Sequence, residues 1–78
     1  MTTTSHTPRY RILVEGTLDP TWSEYLANLD IAVREQIPRQ PISVLTGPLS
    51  DQGALHGVLD TLFMLNMPLL GVERCSED

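Results

Sequence analysis

From Asp51 to Asn66 the apolar residues Leu55, Val58, Leu59, Leu62 and Leu65 recur at helical spacing, and this stripe constrains the fold more than any other feature of the chain. Ser50 or Asp51 caps its start, and Asn66 ahead of Met67 and Pro68 supplies a left-handed stop. A helix with one apolar stripe must lay it on another element. The rest of the chain offers mainly strands to receive it.

Arg9 to Leu18 sets Tyr10, Ile12 and Val14 against Arg9, Arg11, Leu13 and Glu15, the two-residue period of a strand with one buried face. Ile31 and Val33 mark a second strand. Pro38 and Pro41 then mark a loop closing a long hairpin, because proline lacks the donor a ladder needs. The third strand places Ile42, Val44 and Thr46 on one face and Ser43 and Leu45 on the other, until Gly47 and Pro48 end it. Leu69 to Cys75 reads as a short, mostly apolar last strand. Between the first two strands, Asp19 caps a short helix with Pro20 in its first turn, or Thr21 and Glu24 form a capping box; Trp22, Leu26 and Leu29 share one side.

The succession strand, helix, strand, strand, helix, strand predicts an α+β, ferredoxin-like βαββαβ domain: a four-stranded antiparallel sheet with two helices on one face. Should the first helix not form, a ββαβ arrangement is the fallback. Residues 9–75 make the single domain, with 1–8 a disordered N-terminal tail and 76–78 a charged C-terminal tail.

A chain of 78 residues buries only about 60–65% of its unfolded surface, so oligomerisation is a ready source of stability. Ten acidic residues against five arginines and no lysine give a net charge of −5, which repels phosphate backbones and argues against nucleic acid as a partner. No apolar run reaches the roughly 18 residues a membrane helix needs. Cys75 is the only cysteine, which excludes an internal disulfide and fits a reducing cytoplasm.

Two resemblances attach to the second half. Asp51, Gly53, Leu55, Val58, Leu59 and Leu62, followed by an apolar strand ending near Val72, resemble the strand-loop-helix-strand half of ACT-type regulatory domains. That resemblance implies a ferredoxin-like module that pairs through sheets or helices and binds a small ligand at a subunit interface, here near Asp51, Gln52 and Gly53. It covers about a third of the chain by eye, with a shorter Asp-to-Gly spacing than usual. More specific are Leu45-Thr46-Gly47-Pro48, Asp51-Gln52, Ala54-Leu55-His56-Gly57 and Leu59, then Pro68-Leu69-Leu70 and Val72-Glu73-Arg74. These resemble a family of small uncharacterised bacterial proteins with an LTGP..DQ.ALHG.L core and an LPLL.VER end, which implies the fold and no reaction.

Opposite the helical stripe lie Gly53, Gly57, Asp60 and Met64, with His56 and Phe63 at its flank. Each interior glycine costs up to about 1 kcal/mol relative to alanine. Glycines at this spacing let a second backbone approach, and Phe63 and Met64 supply adaptable apolar contact, so this face is a candidate interface. The plainer reading leaves Gly53 in a frayed turn and Phe63 against the domain. Leu13 and Leu45 are expected on the helix-free side of the sheet, a second candidate interface with Arg11 and Glu15 around it.

Catalytic chemistry is sparse. His56 and Asp60, four apart, form the minimum of a general base with its orienter, more often a solvated surface pair. Neither a nucleophile elbow nor a compact metal-ligand spacing accompanies them. Gly47 to Gly53 leads into a helix N-terminus that favours anions, but Asp51 occupies that mouth as a cap. Trp22 and Tyr25 beside Glu24 are candidates for a small pocket, though Trp22 at helical spacing with Leu26 reads most simply as core. The expectation is a non-catalytic interaction or regulatory subunit without cofactor or metal, self-associating as a homodimer or joined to a larger protein, with an ACT-like ligand sensor as the alternative.

Overall fold

The strand Arg9–Glu15 (β1) fills the middle of a sheet because both of its edges are paired: Pro41–Pro48 (β3) on one side and Leu69–Cys75 (β4) on the other. Asp30–Glu35 (β2) adds outside β3, giving the order β2-β3-β1-β4 with every neighbouring pair antiparallel. One α-helix, Gln52–Met64 (α1), joins β3 to β4, so the chain is of the α+β class. The computed structural model describes residues 7–35 and 41–75.

Alternation along β1 decides which face is core. Ile12 and Val14 are fully buried, and Ile12 pairs across the strands with Leu45 and Val72. These β1 residues and Leu45 pack with Val58 and Leu62 of α1 and with Leu18, Leu26, Leu29 and Leu49 in one cluster. Of the expected helical stripe only Val58 and Leu62 are buried; Leu55, Leu59 and Leu65 are half-buried against that cluster. Asp51 caps α1 by accepting the Ala54 N–H at 2.8 Å. The chain leaves the helix through Asn66 in the left-handed region, at φ 60°.

Leu45 corrects the expected face assignment. It points to the helix and is 0% exposed, so the helix-free face of β3 carries Ile42, Val44 and Thr46 instead. The reason is register: Leu45 stands opposite Ile12, and Val44 opposite Leu13. Leu13 does lie on the open face, half-buried.

The first connection holds no α-helix. Pro20–Tyr25 forms a six-residue 3-10 helix, capped by Asp19 through the Thr21 N–H at 3.0 Å. Ala27 and Asn28 adopt positive φ of 58° and 59°, which ends the helix before it gains the length an isolated helix needs. Leu26 and Leu29 nonetheless reach the core from this segment, both 0% exposed. β1 stops at Glu15, short of Leu18, because Gly16 turns the chain at φ 109°. Pro41, expected in a loop, opens β3 as its first residue, where the missing N–H costs least. Pro38 lies outside the described residues, as do positions 1–6 and 76–78 of the two tails. Pro8, placed by sequence in the N-terminal tail, accepts the Leu49 N–H at 3.0 Å.

Candidate functional site

The sheet buries its helix-side face unevenly. β4 occupies an edge, and none of its seven residues is fully buried. Leu69, Leu70 and Val72 are exposed there; Phe63 of α1, 80% exposed, shares a recess with Leu69, while Met64, 79% exposed, faces the other flank of α1. Single exposed apolar residues are ordinary; Phe63 beside Leu69, with Leu70 and Val72 along the same edge strand, is an apolar belt.

Two recesses flank the C-terminal half of α1. On the β4 side, Leu59, Leu62, Phe63, Met67, Pro68 and Leu69 line about 410 Å³. On the 3-10 helix side, Trp22, Thr61, Met64 and Leu65 line about 370 Å³. Asp60 contributes to both rims. Trp22 therefore packs against the core and also lines a recess, with its ring centroid 5.4 Å from that of the exposed Tyr25. Neither recess carries the set of convergent polar groups that orients a reacting substrate.

The sites read from sequence fall in three places. Gly53, Gly57, Asp60, Phe63 and Met64 are all exposed on α1, and a Cβ added at Gly57 would meet nothing within 4 Å. Leu13 and Leu45 are divided between opposite faces of the sheet. Asp51, Gln52 and Gly53 form the exposed first turn of α1, where the Asp51 carboxylate is already engaged with the Ala54 N–H. They stand at the far end of the helix from the larger recess. His56 is exposed and lines neither large recess; among the described residues it makes no hydrogen bond to Asp60, and the adjacent Thr61 hydroxyl donates to the Gly57 carbonyl at 3.0 Å. Among the described residues no group of three or more His, Cys, Asp or Glu side chains is placed to hold a metal ion, and no helix is long and apolar enough to cross a membrane.

The open face of the sheet is a separate surface. A small recess of about 110 Å³ opens there between Arg11, Leu13, Arg34, Ile42 and Val44. Arg11 pairs with Glu73 at 3.6 Å, both side chains about half exposed.

Residues 9–73 match a family described as a domain of unknown function, DUF8691. The chain belongs to that family. No curated protein and no solved structure matches the chain significantly. DUF8691 membership agrees with the expectation of an uncharacterised family, and its description assigns no activity.

Sequence reading placed Leu69, Leu70 and Val72 in a short, mostly apolar last strand without marking them as surface residues. The missing signal was strand order: nothing local in "LLGVERC" says that this strand stands at an edge.

Proposed function

We propose that this DUF8691 chain is a non-catalytic interaction or regulatory subunit that self-associates, built on a ferredoxin-like frame whose first helix has shrunk to the 3-10 segment. The split βαβ arrangement is supported by the order β2-β3-β1-β4 with antiparallel neighbours. One observation carries the interaction reading: the exposed belt of Phe63, Leu69, Leu70 and Val72, with Met64 exposed on the other flank of α1, apolar surface that a small acidic domain gains nothing from leaving in water. Self-association uses either the outer face of α1 or the open face of the sheet, and a larger protein is the other candidate partner. A reducing cytoplasm is the proposed setting, on the strength of the single cysteine.

The alternative is an ACT-like sensor that holds a small molecule at a subunit interface. It draws on the second-half resemblance, which implies a ligand near Asp51, Gln52 and Gly53. Native mass spectrometry of the purified chain separates the two. A dimer of bare chains supports the interaction subunit, a dimer with added mass supports the sensor, and a bare monomer overturns self-association.

A further inference from the structure

The strand register arranges the open face in rows. Ala32, Val44, Leu13 and Gly71 make one row running across the sheet. On one side of it stand Arg34, Ile42 and Glu15; on the other stand Asp30, Thr46, Arg11 and Glu73. The two flanking rows are opposite in charge on two of the four strands: Arg34 against Asp30 on β2, and Glu15 against Arg11 on β1.

Opposition of this kind favours a two-fold axis along the middle row. Turning a second copy about such an axis lays each flanking row over the other, and each middle-row residue over its own counterpart. We propose that two copies stack open face on open face in this way, so that Arg34 of each meets Asp30 of the other, Glu15 meets Arg11, and Leu13 closes the centre beside Val44, which is 9% exposed in the single chain. The proposal rests on the reading that the chain self-associates, and it specifies the face and the register.

Charge is also balanced on this face. The register places three arginines (Arg9, Arg11, Arg34) and three carboxylates (Glu15, Asp30, Glu73) on it, a neutral set in a chain whose net charge is −5. Two copies therefore meet here without net repulsion. Arg34, Asp30 and Glu15 take part in no ion pair among the described residues, while Arg11, already beside Glu73, would bridge to Glu15 of the second copy. Sheets packed face to face stand about 10 Å apart, within the joint reach of an arginine and a facing carboxylate. An unrelated partner would require no such internal relation between the rows. The apolar belt on α1 and β4 stays outside the stack and is left to the other candidate partner, a larger protein.

Charge reversal tests the register. Dimer dissociation constants would be measured by sedimentation velocity for the wild type, for Arg34→Asp, for Asp30→Arg and for the double reversal, with circular dichroism confirming that each variant folds. Each single reversal sets like charges together twice across the axis and is expected to weaken the dimer roughly tenfold or more. The double reversal recreates the opposite pairing and is expected to return to within about threefold of the wild type. A dimer indifferent to the single reversals, or weakened by them and not restored by the double, overturns the stacked register while leaving self-association intact. A wild-type monomer overturns both.

Discussion

The hydroxyl of Ser43 donates to the carbonyl of Gly16 at 2.7 Å while accepting the N–H of Leu18 at 2.9 Å. Ser43 is 0% exposed, so this one side chain satisfies both backbone groups of the turn that carries Leu18 into the core. Replacing it by alanine removes a partner from each without letting water in. Ser43→Ala is expected to cost about 1–3 kcal/mol, read as a lower urea midpoint at unchanged slope. A midpoint equal to the wild type would show that the turn finds other partners.

Gly47 is fixed by its neighbour. A Cβ there would stand 2.9 Å from the Leu29 methyl Cδ2, and the backbone at φ 154° is one that L side chains rarely adopt. Leu29 is itself fully buried and has little room to withdraw. Gly47→Ala is expected to lower stability by roughly 1–3 kcal/mol. Calorimetry checks it, since a change of 1 kcal/mol moves the melting temperature of a domain this small by about 4–8 °C.

These two residues also show where local sequence stops being sufficient. The period of two in β1 and of 3.6 in α1 identified both elements and one buried face, because Tyr10, Ile12 and Val14 oppose Arg9 and Arg11 without ambiguity. β3 offers apolar residues on both faces, Ile42 and Val44 on one and Leu45 on the other. The expectation of Leu45 on the helix-free side took the wrong one of these two faces. Only the pairing of Leu45 with Ile12, and the turn that consumes the Ser43 hydroxyl, set the face. The 3-10 helix was misread for a similar reason: capping at Asp19 is visible in sequence, but the left-handed pair Ala27 and Asn28 is imposed by the need to bury Leu26 and Leu29 on the way to β2. The candidate surfaces were half legible. Phe63 and Met64 stood out on the helix; the edge position of β4 and the row pattern of Arg34, Asp30, Glu15 and Arg11 exist only once the strands are in register.

Asp51 is the hinge between the interaction and sensor readings at the start of α1. Its carboxylate accepts the Ala54 N–H at 2.8 Å and so fills one of the helix's free donor positions. Asp51→Ala is expected to lose about 1 kcal/mol of stability. Loss of ligand-induced thermal stabilisation, with the stability change already subtracted, is the extra outcome that only the sensor reading demands. Differential scanning fluorimetry of both proteins with and without a panel of amino acids provides the comparison.

Gly57 sits mid-helix with open space over it and no positive φ to defend. Gly57→Ala is expected to stabilise the isolated fold by about 0.5–1 kcal/mol through helix propensity alone. The larger Gly57→Gln should also raise the unfolding midpoint, and with sheet stacking it leaves the dimer unchanged. A dimer weakened by Gln and spared by Ala would move the self-contact to the helix, where a second backbone needs the missing side chain.

Phe63 and Met64 give the complementary test of the belt. At 80% and 79% exposure they bury little in the single chain, so Phe63→Ser with Met64→Ser is expected to change its folding stability by no more than about 0.5 kcal/mol. Because the belt lies outside the stacked sheets, the dimer dissociation constant should stay at the wild-type value. The variant should instead resist aggregation on concentration, since its surface no longer offers an aromatic ring beside the unpaired edge of β4. Light scattering as a function of concentration measures that directly. A dimer that falls apart in the double variant would place the belt itself between the two copies and leave the open face to water.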